Sequence, residues 1–187
     1  TLFGQNSTGG AINVITASPS TDSAFGSADL TVGDYGLAKF RASYNMPLSD
    51  DLAIRGSFIS NKRDGFTENL SLGQDLDDAD SISARIRVQY EPSDNFRANF
   101  MAQYFDEDRN GAAQKGILDP TPDPRRLRQN SVTEHKLNAQ LYSAVLEWDY
   151  ENWRIKSSIS VIAVAIMINV LMFILMSQVK CHVIATN

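Results

Sequence analysis

Cysteine is almost absent from this sequence. Cys181 stands alone among 187 residues, so no disulfide can form within the chain and a disulfide-stapled miniprotein is excluded. Histidine is nearly as scarce. His135 and His182 are far apart and have no company at metal-ligand spacing, which leaves no zinc constellation. There is no Ser/His/Asp set, no Cys/His pair and no glycine-rich phosphate loop, so nothing supports an enzyme or a bound cofactor. Sustained basic faces are missing too. The net charge is −5 and the pI near 5.0, which argues against a nucleic-acid partner. Long apolar runs are lacking over residues 1–158, although apolar residues make up 43% of the whole.

What fills those residues is alternation. Ala28, Leu30 and Val32 alternate with Asp29, Thr31 and Gly33, and Phe40, Ala42, Tyr44 and Met46 alternate with Lys39, Arg41, Ser43 and Asn45. Leu52, Ile54 and Phe58 share a face with Gly56. Ile82, Ala84, Ile86, Val88 and Tyr90 face away from Ser81, Ser83, Arg85, Arg87 and Gln89, and Phe96, Ala98, Phe100, Ala102 and Tyr104 away from Arg97, Asn99 and Gln103. Period two predicts strands. Leu137, Ala139 and Leu141 continue the pattern against Lys136, Asn138 and Gln140, with a register shift near Ser143 that predicts a bulge. Trp153, Ile155 and Ser157 open a seventh strand.

Such dyads fit a soluble sandwich, whose apolar faces pack inward, or a membrane barrel, whose apolar face meets lipid. Several features favour the barrel. The segments run to about 10–14 residues, enough for a tilted crossing. Arg41, Arg85 and Arg87 sit in mid-strand, where a dry core would penalise them and a wet interior would not. Tyr44, Tyr90, Phe96, Tyr104, Trp148, Tyr150 and Trp153 gather at segment ends, as interfacial girdles require. Short connections at 47–51, 92–95 and 151–152 alternate with long polar ones at 64–80 and 108–134; the first loop, near 33–36, is short as well. Barrels combine short periplasmic turns with longer outside loops. The expected fold is therefore all-β: a partial antiparallel transmembrane β-barrel. Seven strands cannot close a bacterial barrel, so the wall is expected to be incomplete. No signal peptide opens the chain, which is expected to be cut from a longer precursor.

The first sixteen residues carry a specific motif. Thr1-Leu2-Phe3-Gly4-Gln5-Asn6-Ser7-Thr8-Gly9-Gly10-Ala11-Ile12-Asn13-Val14-Ile15-Thr16 resembles the closing motif of the plug domain in TonB-dependent outer-membrane receptors. Gln5 replaces the arginine usual in that family. The resemblance implies residues 1–20 as the end of a plug and residues 24–158 as the first strands of a barrel of about 22 strands. It also implies a location in the outer membrane of a Gram-negative bacterium, contact with outer-membrane lipid, and uptake of a ferric siderophore or similar scarce ligand. A TonB-type energy-transducing complex would act on a plug box that this chain lacks. Gly4, Asn6, Gly9, Gly10 and Asn13 are expected to be structural, since glycines permit close backbone approach and left-handed turns, and Asn side chains bond neighbouring backbone.

Ligand contacts are expected, if anywhere, at arginines. Arg125, Arg126 and Arg128 follow Pro120, Pro122 and Pro124 in the second long loop, and Arg85 and Arg87 lie on a polar strand face; guanidinium forks suit anionic groups. Asp75, Asp77, Asp78 and Asp80 form an acidic run, and the Asp106–Gly111 stretch resembles the start of a calcium loop. Ile117 occupies the position where that loop needs a bidentate Glu, so that stretch reads as a solvated strand end, and the Asp run reads as a hydrated loop.

Residues 159–176 are apolar on every face, interrupted only by Asn169 as a strongly polar residue. A barrel strand should alternate, so the tail over 159–187 reads as locally helical: either a genuine transmembrane helix, which would make this a different protein, or, the favoured reading, foreign sequence after a reading-frame slip. Two other readings of the chain are a passive porin-type barrel and a non-functional truncated gene product; a porin carries no plug motif.

Overall fold

The computed structural model describes residues 16–151, 153–168 and 171–185, with side chains as far as residue 165. The described residues form eleven strands: β1 (Phe25–Gly33), β2 (Leu37–Pro47), β3 (Leu52–Arg63), β4 (Thr67–Asn69), β5 (Gln74–Leu76), β6 (Ala79–Ser93), β7 (Phe96–Arg109), β8 (Arg126–Leu127), β9 (His135–Tyr150), β10 (Trp153–Ile168) and β11 (Leu171–Ala185). Eight of them form one open antiparallel sheet in the order β1-β2-β3-β6-β7-β9-β10-β11, and the short β5-β4-β8 form a second sheet. The chain is all-β among the described residues, as expected.

Chain neighbours pair throughout the large sheet, so each connection is a hairpin or a long loop returning beside its own strand. The β1–β2 turn needs two left-handed residues, Tyr35 (φ 58°) and Gly36 (φ 63°), closed by the Leu37 N–H donating to Asp34 O at 3.2 Å. A Cβ at Gly36 would lie 2.6 Å from an Asp64 carboxylate oxygen, a side-chain end that can move, so it is the positive φ that favours glycine there.

Register sorts the side chains. One row across the sheet runs Tyr44, Gly56, Ile86, Ala102, Tyr142, Val161, and the next runs Met46, Ile54, Val88, Phe100, Ala144, Ile159. This face is apolar, and it is bare: Leu30, Val32, Phe40, Ile86, Phe100, Trp148 and Ile159 are all exposed. The row between them, Asn45, Arg55, Arg87, Met101, Ser143, Ser160, belongs to the opposite, mainly polar face.

Two strand expectations are corrected. No bulge occurs at Ser143, because β9 pairs without interruption with both β7 and β10. Leu137, Ala139 and Leu141 therefore share the face of Arg85 and Arg87, while Lys136, Asn138 and Gln140 continue the apolar face at its loop end. The lower half of β9 sets the phase: Tyr142, Leu146 and Trp148 lie on the bare face, and Trp148 meets Phe96 edge-on at 5.6 Å. The register shifts lie instead between Tyr90 and Ser93 and between Ser160 and Ala163.

The tail is likewise not helical. Residues 153–168 and 171–185 are strands, and pairing to β9 crosses residues 158 and 159 without a break. The seven strands expected for the large sheet become eight among the described residues. β-Branched enrichment (Ile159, Val161, Ile162, Val164, Ile166, Ile168) is the signal that favours strand over helix in an uninterrupted apolar run. Farther on, β11 resumes alternation: Gln178 and Lys180 stand opposite Ser160 and Ser158, and Val179 and Val183 opposite Ile159 and Ile155.

The long loops are not merely solvated. β4 runs parallel to β8 with Glu68 opposite Arg126 and Asn69 opposite Leu127, joining residues 64–80 to 108–134. Leu76 and Leu127 are fully buried there. Beside them Asn69 donates to Gln129 O (2.9 Å) and accepts from the Gln129 N–H (3.0 Å). Removing that amide strands two buried backbone groups. Asn69→Ala should destabilise the loop module by about 2–3 kcal/mol, read as faster amide hydrogen exchange confined to residues 64–80 and 108–134; unchanged exchange there would contradict this packing.

Candidate functional site

The described residues that follow the N-terminal motif lie across the polar face. Arg87 donates from Nη1 to Thr16 O (2.7 Å), Thr16 Oγ1 (3.1 Å) and Ala17 O (2.9 Å). Farther along the strap, Asn45 accepts from the Ser20 N–H (2.9 Å) and donates to Ser20 O (2.9 Å) and Ser23 O (2.8 Å). Asn45 is completely buried and Pro19 is buried with it. Arg87 on β6 and Asn45 on β2 face the same way because the register aligns both with Arg55. The motif residues themselves, Gly4, Asn6, Gly9, Gly10 and Asn13, lie outside the described residues.

The polar face changes character along its length. At the turn end charges are paired: Arg97 with Glu91 and Glu147, Lys156 with Glu147 at 2.5 Å, and Arg154 with Asp149 at 2.5 Å. At mid-face Arg85 directs Nε (2.9 Å) and Nη2 (2.7 Å) onto the neutral Gln103 Oε1. Among the described residues Arg55 reaches only Ser43 Oγ (3.4 Å) and the ring of Phe25, 5.1 Å from its centroid. Arg41 is paired with Asp29 at 2.9 Å.

The three loop arginines have separate tasks. Arg126 pairs with Glu68 at 2.9 Å. Arg125 donates to the Tyr35 hydroxyl and lies over the rings of Tyr35 (5.7 Å) and Phe66 (5.9 Å), tying the β1–β2 turn to the loop module. The Arg128 side chain is exposed, while its backbone N–H donates to Asp119. The five arginines expected as ligand contacts thus fall into two groups, Arg85 and Arg87 on the large sheet and Arg125, Arg126 and Arg128 in the loops. Asn45, Arg55, Asn69 and Tyr35 escaped sequence reasoning. Each is an ordinary residue for its strand or turn, and only strand pairing shows what it reaches.

The acidic stretches serve as loop staples. Asp77 accepts from Thr67 Oγ1 (2.6 Å) and the Ala113 N–H (2.9 Å), and Asp78 from the Asn110 N–H (2.8 Å). Asp106 accepts from Asn138 (2.9 Å) and Asp108 pairs with Lys136 (3.4 Å). No group of acidic, His or Cys side chains suited to a metal occurs among the described residues. The loop 108–134 also displays Ile117 and Leu118, 103% and 94% exposed.

Asp119 organises the segment that carries Arg128. It accepts from Thr121 Oγ1 (2.6 Å), the Thr121 N–H (2.9 Å) and the Arg128 N–H (2.7 Å). Those donors hold its carboxyl at about 2, below the usual aspartate value near 4. No protein-family profile, curated protein or solved structure matches this chain.

Two outcomes are expected. With a depressed folded-state value, the contribution of Asp119 is fully present above pH of about 4 and is lost as pH falls through about 2. The Thr121 and Arg128 amide resonances should therefore titrate together near pH 2, and in Asp119→Asn that joint titration should vanish. Separately, Arg87→Ala removes three contacts to the strap, so proteolysis or hydrogen exchange at residues 16–18 should rise by about tenfold or more, with β6 pairing unchanged.

Proposed function

We propose that this chain forms part of the wall of a TonB-dependent outer-membrane receptor, with the last residues of its plug, and serves energy-coupled uptake of a ferric siderophore or similar scarce ligand. The observation that carries this is the pairing of opposites across one sheet. A protein strap is clasped to the polar face by Arg87 and Asn45, while the other face presents a continuous exposed apolar band.

In water that band is a liability, since soluble monomers rarely expose contiguous apolar areas beyond a few hundred Å². Lipid removes the difficulty. Strands of 9 to 16 residues are long enough for a tilted crossing of a hydrocarbon core about 30 Å thick. Trp148, Tyr150 and Trp153 at the turn end and Tyr104 toward the loop end supply interfacial rings on the bare face. The polar Asp106, Asn138 and Lys136 then stand above the membrane on the same strands. The loop module becomes the outside surface, and the short turns become periplasmic.

The strap follows the plug-like motif directly, and it occupies the face that would line the interior. That arrangement favours a stoppered receptor over an open porin. The sheet is open, with β1 and β11 each having one neighbour. In lipid those edges need partners, which further wall strands of the receptor would supply.

Spin labels test the wall. In a Cys181→Ser background, labels replacing Ile86, Phe100 and Ala144 should be accessible to oxygen and shielded from a water-soluble nickel chelate in bilayers. Labels at Ser57, Gln103 and Ser143 should show the reverse; nickel access on both faces would end the membrane reading. For the transport step, cells carrying the intact gene should accumulate radioactive ferric chelate only while the proton gradient is maintained. Uptake that persists with an uncoupler would indicate a passive channel instead.

A further inference from the structure

The middle of the polar face carries positive charge that no acidic side chain among the described residues balances. Arg55 and Arg87 stand directly opposite each other on β3 and β6, and Arg85 lies two residues from Arg87 on the same face, opposite Ser57. Arg55 and Arg85 are thus diagonal neighbours, about 7–8 Å apart at the backbone. Like charges placed across a strand pair destabilise it. None of the three has a carboxylate within 4.0 Å among the described residues; the ion pairs on this face involve Arg41, at one side, and groups at the two strand ends. Residues 1–15 and 166–187 contain no Asp or Glu, so those segments bring no acidic side chain.

Among the described residues the guanidinium groups also retain unused donors. Arg85 spends Nε and Nη2 on a single neutral oxygen, Arg55 makes one long bond to a hydroxyl, and Arg87 commits Nη1 to the strap while its buried Nε has no partner. Gln103, Ser43 and Ser57 surround them with further hydrogen-bonding groups on the same face.

We propose that Arg55 and Arg85, supported by the field of Arg87, form a binding site on the inner wall for an oxyanion of a small solute, a carboxylate or a phosphate. Two diagonal forks suit a ligand bearing more than one such group, since guanidinium–oxyanion pairing is bidentate and directional. This rests on the reading of the polar face as a barrel interior. It narrows the uptake ligand to an anionic one, held beside the strap rather than only at the outside loops.

The test uses the intact receptor encoded by the whole gene in bilayer nanodiscs, citrate and inorganic phosphate as probes, and chloride at matched ionic strength as control. Arginine Nε–H resonances report each site. Citrate should give saturable shifts at Arg55 and Arg85 that chloride does not reproduce, with Arg154, already paired to Asp149, unmoved. Arg55→Gln/Arg85→Gln should weaken citrate by about tenfold or more. Arg55→Lys/Arg85→Lys keeps the charge and loses the fork, so it should fall between. Arg154→Gln should bind as the parent does. Equal shifts at all arginines would mean charge screening only and overturn the site. Insensitivity of Arg55 and Arg85 to both probes would do so too, including the case where another segment of the protein already fills it. The spin-label pattern is read on the same nanodiscs, so a wall that inserts but ignores citrate separates failure of this site from failure of the membrane reading.

Discussion

Everything in this protein depends on the backbone ladder that runs through eight strands. Side chains in a strand alternate, so a slip of one residue moves a whole strand's apolar set to the other face. Here each strand is pinned by its neighbour over its length, and the phase set in β2, β3 and β6 is carried through β7 into β9 and β10. The two faces consequently stay distinct over β1 to β7: Phe40 and Phe58 approach on one side at 6.2 Å, and Arg55 and Arg87 meet on the other. A strap can be clasped only because one face is kept polar, and the other can be left bare only because it is kept apolar.

That constraint also explains where the sequence was legible. Ile82 to Tyr90 and Phe96 to Tyr104 alternate cleanly, and their faces follow from the residues alone. In β9 the local pattern of Leu137, Ala139 and Leu141 points the other way, and it loses to the phase shared with β7 and β10. A bulge at Ser143 would have satisfied local hydrophobicity at the expense of two ladders. The apolar run in β10 has no alternation to read, so its strand state comes from partner strands and from β-branched residues.

The candidate site was half visible. Mid-strand Arg85 and Arg87 stand out as charges in a dyad, but Arg55 and Asn45 become meaningful only when register brings them into line with Arg87. In the loops, the Asp run and the arginines were visible as charges. Their work as staples depends on Asn69, Gln129 and Tyr35, which no local pattern marks.

The parallel contact of β4 with β8 has a kinetic side. Glu68 and Arg126 meet across an interval that contains both β6 and β7. Closing so long a loop costs entropy that neither three-residue β4 nor two-residue β8 can offset alone. The hairpin strands must assemble first and bring the two loops side by side, after which the small sheet forms cheaply. The loop surface is therefore a late product of folding, built upon a large sheet that is already in place.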